Sequence, residues 1–192
     1  MHHIYHTEGL ILESTPVGEA DKRYAIFTRD LGMINARATG VRKLSSKLRF
    51  VLQDFAYVKI DLVQGKNYWR VTSASPGGIL EGLAKERKTL EVFANVARLL
   101  RRLLAASERN EKLFADLLKG LHILEGCGTA ENLRNIEVVI VLRALHNLGY
   151  IGGEELKHII ESPFEEELVY RILPARKEAL RQINQALRES QL

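Results

Sequence analysis

Cysteine is nearly absent from this chain, and that absence decides several questions at once. Cys127 is the one thiol in 192 residues, so no intrachain disulfide and no structural zinc site built on thiolates can form. A lone cysteine fits a reducing compartment, and the chain is read as cytoplasmic. No run of about 18 apolar residues occurs, which excludes a membrane-spanning helix. The opening segment MHHIYHTEG lacks the apolar core of a signal peptide. A phosphate-cradling loop is missing too: Gly65-Lys66 is followed by Asn67 rather than Ser or Thr, without the upstream glycine spacing. No catalytic triad, carboxylate pair or metal cage stands out, so the residues offer no site for a hydrolase or transferase, and neither enzymatic activity nor a cofactor is expected. There is no fixed-period repeat and no low-complexity segment.

What is present is a charge asymmetry. Hydrophobic content of 46% and charged content of 27% are those of an ordinary globular protein, long enough to build a core without metal or disulfides. Residues 1–78 hold 11 Lys and Arg against 7 Asp and Glu, whereas residues 79–192 hold 17 of each. All of the net charge of +4 therefore lies in the first part. Within it, Leu31 to Gln53 carries Arg37, Arg42, Lys43, Lys47 and Arg49 and no carboxylate, with Asp30 and Asp54 as brackets. A segment of one sign is an electrostatic surface for a polyanion.

The apolar spacing changes character near Ser75-Pro76-Gly77-Gly78. Before it, alternation predicts five strands: Ile4 to Leu12, Arg23 to Arg29, Met33 to Thr39, Phe55 to Val63 and Tyr68 to Ala74. Pro16 to Asp21, Asp30-Leu31-Gly32 and Gln64 to Asn67 read as turns. Five strands with one longer connection suit a closed OB-fold barrel, and an SH3-like barrel fits the same strand count. After the boundary the period is helical. Helices are expected over Leu83 to Ala105, from a cap at Asn110 to Gly126, and from Thr129 to about Leu148. The Thr129 helix is apolar nearly all round and so reads as central and buried. Ser162-Pro163-Phe164-Glu165 has the form of a cap, a first-turn proline and a capping-box carboxylate, predicting a last helix from there to about Glu189, broken or kinked at Pro174. The expectation is thus an α+β chain in two parts, an OB-fold nucleic-acid-binding domain over 1–78 and an all-α domain over 79–192.

The candidate site residues follow from this frame. Basic groups track a phosphate backbone, and aromatic faces stack on unpaired bases. Arg37, Arg42, Lys43, Lys47 and Arg49 are the first choice as phosphate contacts, with Lys22, Arg23, Lys59 and Arg70 behind them and Tyr57 and Tyr68 as stacking groups. The bland alternative is that the tyrosines pack against other elements and the charges are merely solvated. With no recognition helix in the basic half, the pattern suits backbone binding without a base code. A second cluster, Arg98, Arg101 and Arg102, lies beside Leu99, Leu100, Leu103 and Leu104. It is either a solvated helix face or a dock for an acidic peptide with an apolar end, which would make the chain a protein-interaction adaptor with the barrel as a spacer. His2, His3 and His6 form a loose cluster, either a weak metal site or solvated side chains, and Cys127 is either a reactive thiol or a small residue at a helix end.

Thr7-Glu8-Gly9, Gly18-Glu19-Ala20-Asp21-Lys22, Phe27-Thr28-Arg29-Asp30-Leu31-Gly32 and the run from Ala38 to Arg49, continued through Leu52-Gln53-Asp54-Phe55, together resemble the N-terminal domain of the bacterial recombination mediator family RecO. The likeness covers residues 5–75, while the helical part is similar in kind, best at Leu142 to Tyr150. The resemblance implies binding of single- and double-stranded DNA, annealing of complementary strands, and help in loading recombinase onto strands covered by single-strand-binding protein. It implies RecR, the acidic tail of the single-strand-binding protein and, indirectly, the RecA recombinase as partners. Many members of the family carry a four-cysteine zinc module after the Leu-Gly-Tyr motif. Here Ile151-Gly152-Gly153-Glu154-Glu155-Leu156 follows instead, and the chain is short for the family, so zinc is expected to be absent.

Overall fold

A computed structural model describes residues 3–78, 80, 82–83, 86–104, 108–152 and 154–190. Alternating side chains shape its first part. Strands β1 (Ile4–Val17), β2 (Asp21–Thr28), β3 (Gly32–Ala38), β4 (Tyr57–Gln64) and β5 (Trp69–Pro76) close into a barrel in the order β1-β2-β3-β5-β4. β1 is long enough to pair with β4 along Ile4 to Leu10 and with β2 along Gly9 to Val17, bulging between Ile11 and Glu13. β3 and β5 meet in parallel at Ala36–Trp69 and Arg37–Arg70. Parallel neighbours cannot be joined by a tight hairpin, and the chain between them carries α1 (Leu48–Val51) and β4. This is the OB-fold, the first of the two barrels that the strand count allowed.

Period-two alternation places the core as expected. Ile34, Ala36 and Ala38 of β3 and Val58, Ile60 and Leu62 of β4 are buried with Ile11, Tyr24, Ile26 and Val71. Leu48 and Val51 of α1 pack against the same cluster. Two details differ from expectation. β1 continues through Pro16 to Val17, pairing with Asp21, so the turn into β2 shrinks to three residues around Gly18 at φ +60. The four-residue α1 was not legible, because one turn has too few residues to display a period.

The helices are α2 (Arg87–Leu103), α3 (Glu111–Gly126), α4 (Ala130–Asn147), α5 (Lys157–Ile160), α6 (Leu168–Arg171) and α7 (Arg176–Glu189). By contacts the chain forms two units, Met1–Glu81 with Ala97–Glu111, and Gly82–Val96 with Lys112–Leu192. In the second unit α4 is central, packing against α5, α6 and α7. The Thr129 hydroxyl caps α4, accepting from the Asn132 N–H at 3.2 Å. Buried within it is Arg143, 5% exposed. Its guanidinium donates to Asp116 and to the carbonyls of Ile159 and Ser162, and lies 4.7 Å from the centre of the Phe164 ring.

That arrangement explains why no helix starts at Ser162. The Ser162 hydroxyl donates backward to the His158 carbonyl, and its own carbonyl accepts from Arg143 at 2.7 Å. The capping box is thereby dismantled. The chain makes only the single turn of α6, breaks across Pro174 and resumes as α7. The expected end of α2 at Ala105 lies outside the described residues. No helix among the described residues is long and apolar enough to cross a membrane.

Candidate nucleic-acid interface

Strand register sets the first part of the site. Arg23 on β2 stands opposite Arg37 on β3, and Arg37 stands opposite Arg70 on β5. Three arginines thus lie in one row across three strands, on the outer face of the sheet. Like charges directly opposite each other cost stability, and one carboxylate offsets part of that cost. Asp21 accepts from Arg37 Nε at 3.0 Å and Nη2 at 2.6 Å, and from the Gly40 N–H at 2.7 Å. The Gly40 amide and then the Arg37 guanidinium hold the Asp21 carboxyl below its usual value. The contact needs Gly40 in the left-handed region, φ +67, which suits a residue without Cβ.

The β3–β4 connection brings two further cations to the same edge. The Arg42 N–H donates to the Ala20 carbonyl at 2.8 Å, and its guanidinium donates to the Gly18 carbonyl at 3.0 Å. This fixes Arg42 beside the β1–β2 turn. Lys43 is next to it, close enough to help hold the Asp21 charge. Tyr68, in the β4–β5 turn, is 42% exposed and interacts with Arg37. Among the described residues, Arg23, Arg42, Lys43, Lys47, Arg49 and Arg70 form no ion pair. OB-folds take oligonucleotides on the β2–β3 face and at the β1–β2 and β4–β5 loops. Arg23 and Arg37 lie on the β2–β3 face and Tyr68 in the β4–β5 turn, Arg42 is tied to the β1–β2 turn from the β3–β4 connection, and Arg70 extends the row onto β5.

Three sequence candidates stand elsewhere. Lys22 is half-buried and donates to the Ser14 hydroxyl at 3.1 Å, on the strand face opposite Arg23. Lys59 is exposed but stands opposite Glu8 in the β1–β4 register, at a cleft that also holds Asp30 and Asp61. Tyr57 is the clear correction. It does point away from the barrel interior, yet it is only 7% exposed. Gly77 folds over its ring so closely that a Cβ there would lie 2.1 Å from Tyr57 Cδ1. Burial, then the hydrogen bond with Glu8, pushes the Tyr57 phenol up to about 12. Such a ring has no face to offer a base. Alternation says which side of a strand a residue takes, and is silent about what covers that side.

The basic segment also presents an exposed aromatic residue that was not foreseen, Phe50. In α1, Leu48 and Val51 face the core while Phe50 is 72% exposed, with the Arg49 guanidinium 4.8 Å from its ring centre. Leu48 and Val51, three residues apart, share the face packed on the core, and that turns Phe50 outward.

The second cluster loses half of its expected surface. Leu100, Leu103 and Leu104 are buried, Arg101 pairs with Glu13 of β1, and Arg98 is engaged as well. Basic and apolar surface therefore do not lie side by side there. His6 Nδ1 is 2.6 Å from Asp61, His2 is outside the described residues, and no three metal-ligating groups come together among those described. Burial raises the Cys127 thiol pKa, the opposite of what a reactive thiolate needs.

Comparison with known proteins points to one family. Residues 1–80 match the family model "Recombination protein O N terminal". The protein named DNA repair protein RecO from Alkaliphilus metalliredigens is 31% identical over 138 residues, 72% of this chain and 53% of that protein. Its namesake from Heliobacterium modesticaldum is 34% identical over 121 residues, covering 63% and 44%, and that from Roseiflexus sp. 32% over 148 residues, covering 77% and 50%. The chain spans about half the length of these curated relatives.

Proposed function

Residues 1–80 carry the N-terminal domain of the RecO family, and from that premise we propose that the chain binds DNA as a non-enzymatic mediator of repair and recombination. The observation that carries the proposal is the row of Arg23, Arg37 and Arg70, extended by Arg42 and Lys43, which begins on the β2–β3 face and reaches the β1–β2 turn, both of which OB-folds use for oligonucleotides. These side chains hold phosphates rather than read bases, because no helix among the described residues of this part is long enough to enter a groove. Strand annealing follows from the same charges: two phosphate backbones repel each other, and a basic edge that holds one or both lowers that cost. Loading of recombinase onto covered strands, and contact with RecR and the acidic tail of single-strand-binding protein, complete the proposed role.

The test is a fluorescence anisotropy titration with labelled single-stranded DNA over a range of salt. With about five phosphates neutralised, the slope of log K against log salt is expected near −3.5. A slope close to zero, or no binding at low salt, overturns the proposal. The adaptor alternative gains no support, because the leucines it requires beside Arg98, Arg101 and Arg102 are buried or half-buried.

A further inference from the structure

An exposed phenylalanine in a basic segment is an anomaly that wants an occupant. Phe50 is 72% exposed and Leu44, six residues earlier on the same connection, is 86% exposed. Single exposed apolar residues are common on protein surfaces. What distinguishes Phe50 is its setting. Its helix packs Leu48 and Val51, both half-buried, against the barrel core, so the ring is presented on a fixed support. The Arg49 guanidinium rests 4.8 Å from the ring centre, in cation–π range. Around it, Leu31 to Gln53 holds five cations and no carboxylate. A ring that is exposed, propped, contacted by a guanidinium and carried on a segment of one charge sign is matched by a ligand that is flat, apolar on its faces and strung on a polyanion.

Resting on the DNA-binding reading, we infer that Phe50 is a stacking platform for an unpaired nucleobase, with Arg49 and Lys47 holding the flanking phosphates. It supplies the stacking that Tyr57, covered by Gly77, does not provide. The consequence is a preference built into the basic connection. A base already paired and stacked in a duplex has no free face to give, so Phe50 favours single strands while the cations serve both forms. Aromatic stacking is tolerant of base identity, and the preference carries no sequence code.

The experiment compares wild type with Phe50→Ala, Phe50→Leu and Phe50→Trp on three labelled ligands: a thymine oligonucleotide, an abasic strand of equal length and a duplex. Phe50→Ala and Phe50→Leu should bind the thymine strand about 5- to 150-fold more weakly, while Phe50→Trp stays within about twofold of wild type, as a retained stacking ring requires. On the abasic strand and the duplex all four proteins should bind alike. Thermal melting of the variants should match wild type, since the ring contributes little to the core. Equal loss on the thymine and abasic strands overturns the inference, because it makes Phe50 a support for the cations rather than a platform. A wild type that binds while Phe50→Ala matches it on every ligand overturns this inference alone. A wild type that binds no single strand at low salt overturns the DNA reading and this inference with it.

Discussion

The same residue type does opposite work in the two parts of this molecule. On the barrel, Arg23 and Arg70 are exposed, aligned with Arg37 and without an ion pair among the described residues. In the helical unit Arg143 is buried, and its donors reach Asp116 and two carbonyls above the Phe164 ring. A guanidinium removed from water must find partners within the fold or destabilise it. One left on the surface beside like charges does little for stability and keeps its charge for a ligand. Arg143 is therefore a structural cation, whereas Arg23 and Arg70 keep their charge at the surface beside the Asp21-paired Arg37.

The sharpest way to break that contrast is to truncate Arg143. Arg143→Ala takes the guanidinium from Asp116, which keeps the Asn147 amide at 3.0 Å, and from two carbonyls, and empties space beside Phe164. Loss of one partner of a buried ion pair costs about 3–5 kcal/mol, so denaturant unfolding followed by circular dichroism should show a shift of that size. If the helical unit survives, the salt slope for DNA should be unchanged. A change below about 0.5 kcal/mol would make Arg143 no more structural than a surface charge.

Reversing charge on the barrel should do the converse. The double variant Arg42→Glu with Lys43→Glu should leave melting nearly unchanged and weaken every DNA sequence alike, on the order of tenfold at low salt. Removing two single-strand phosphate contacts, at about 0.7 each, should also flatten the salt slope by about 1.4. Loss confined to one sequence would point to base readout and remove the basis for treating these cations as backbone contacts.

This contrast was only half legible in the sequence. Period-two alternation placed Ile34, Ala36 and Ala38 inside and Arg37 outside, because each strand has one face toward a single core. The near-continuous apolar run of α4 announced its central position, because a helix apolar nearly all round has to be covered on every side. The row of Arg23, Arg37 and Arg70 was not legible, since register between β3 and β5 depends on barrel closure rather than on either strand alone. Tyr57 failed because a residue twenty positions back from its cover, Gly77, gives no local sign of it. The Ser162 capping box failed because Arg143, distant in sequence, claims its carbonyl. Local pattern was reliable where one element decides, and unreliable where two distant segments meet.

The smallest expected effect concerns Asp21, the carboxylate paired with Arg37 at this edge. The Gly40 N–H and Arg37 hold its carboxyl below the ordinary 3.8. A group whose pKa is depressed by folding stabilises the fold while it is ionised, at pH above its unfolded value, and loses that contribution as pH falls through the folded value. Asp21→Asn keeps an oxygen for the Gly40 N–H but gives up the charge. Wild type should therefore be slightly more stable than Asp21→Asn at pH 7, and the difference should close as pH drops below about 3.8, read by urea midpoints at pH 7, 4 and 3. Because Asp21 partly neutralises Arg37, the variant should also bind single-stranded DNA a few-fold more tightly at neutral pH and low salt. A variant that binds more weakly would mean that Asp21 positions Arg37 and Gly40 for the ligand, and that the barrel edge, like the Arg143 cluster, works through its internal partners.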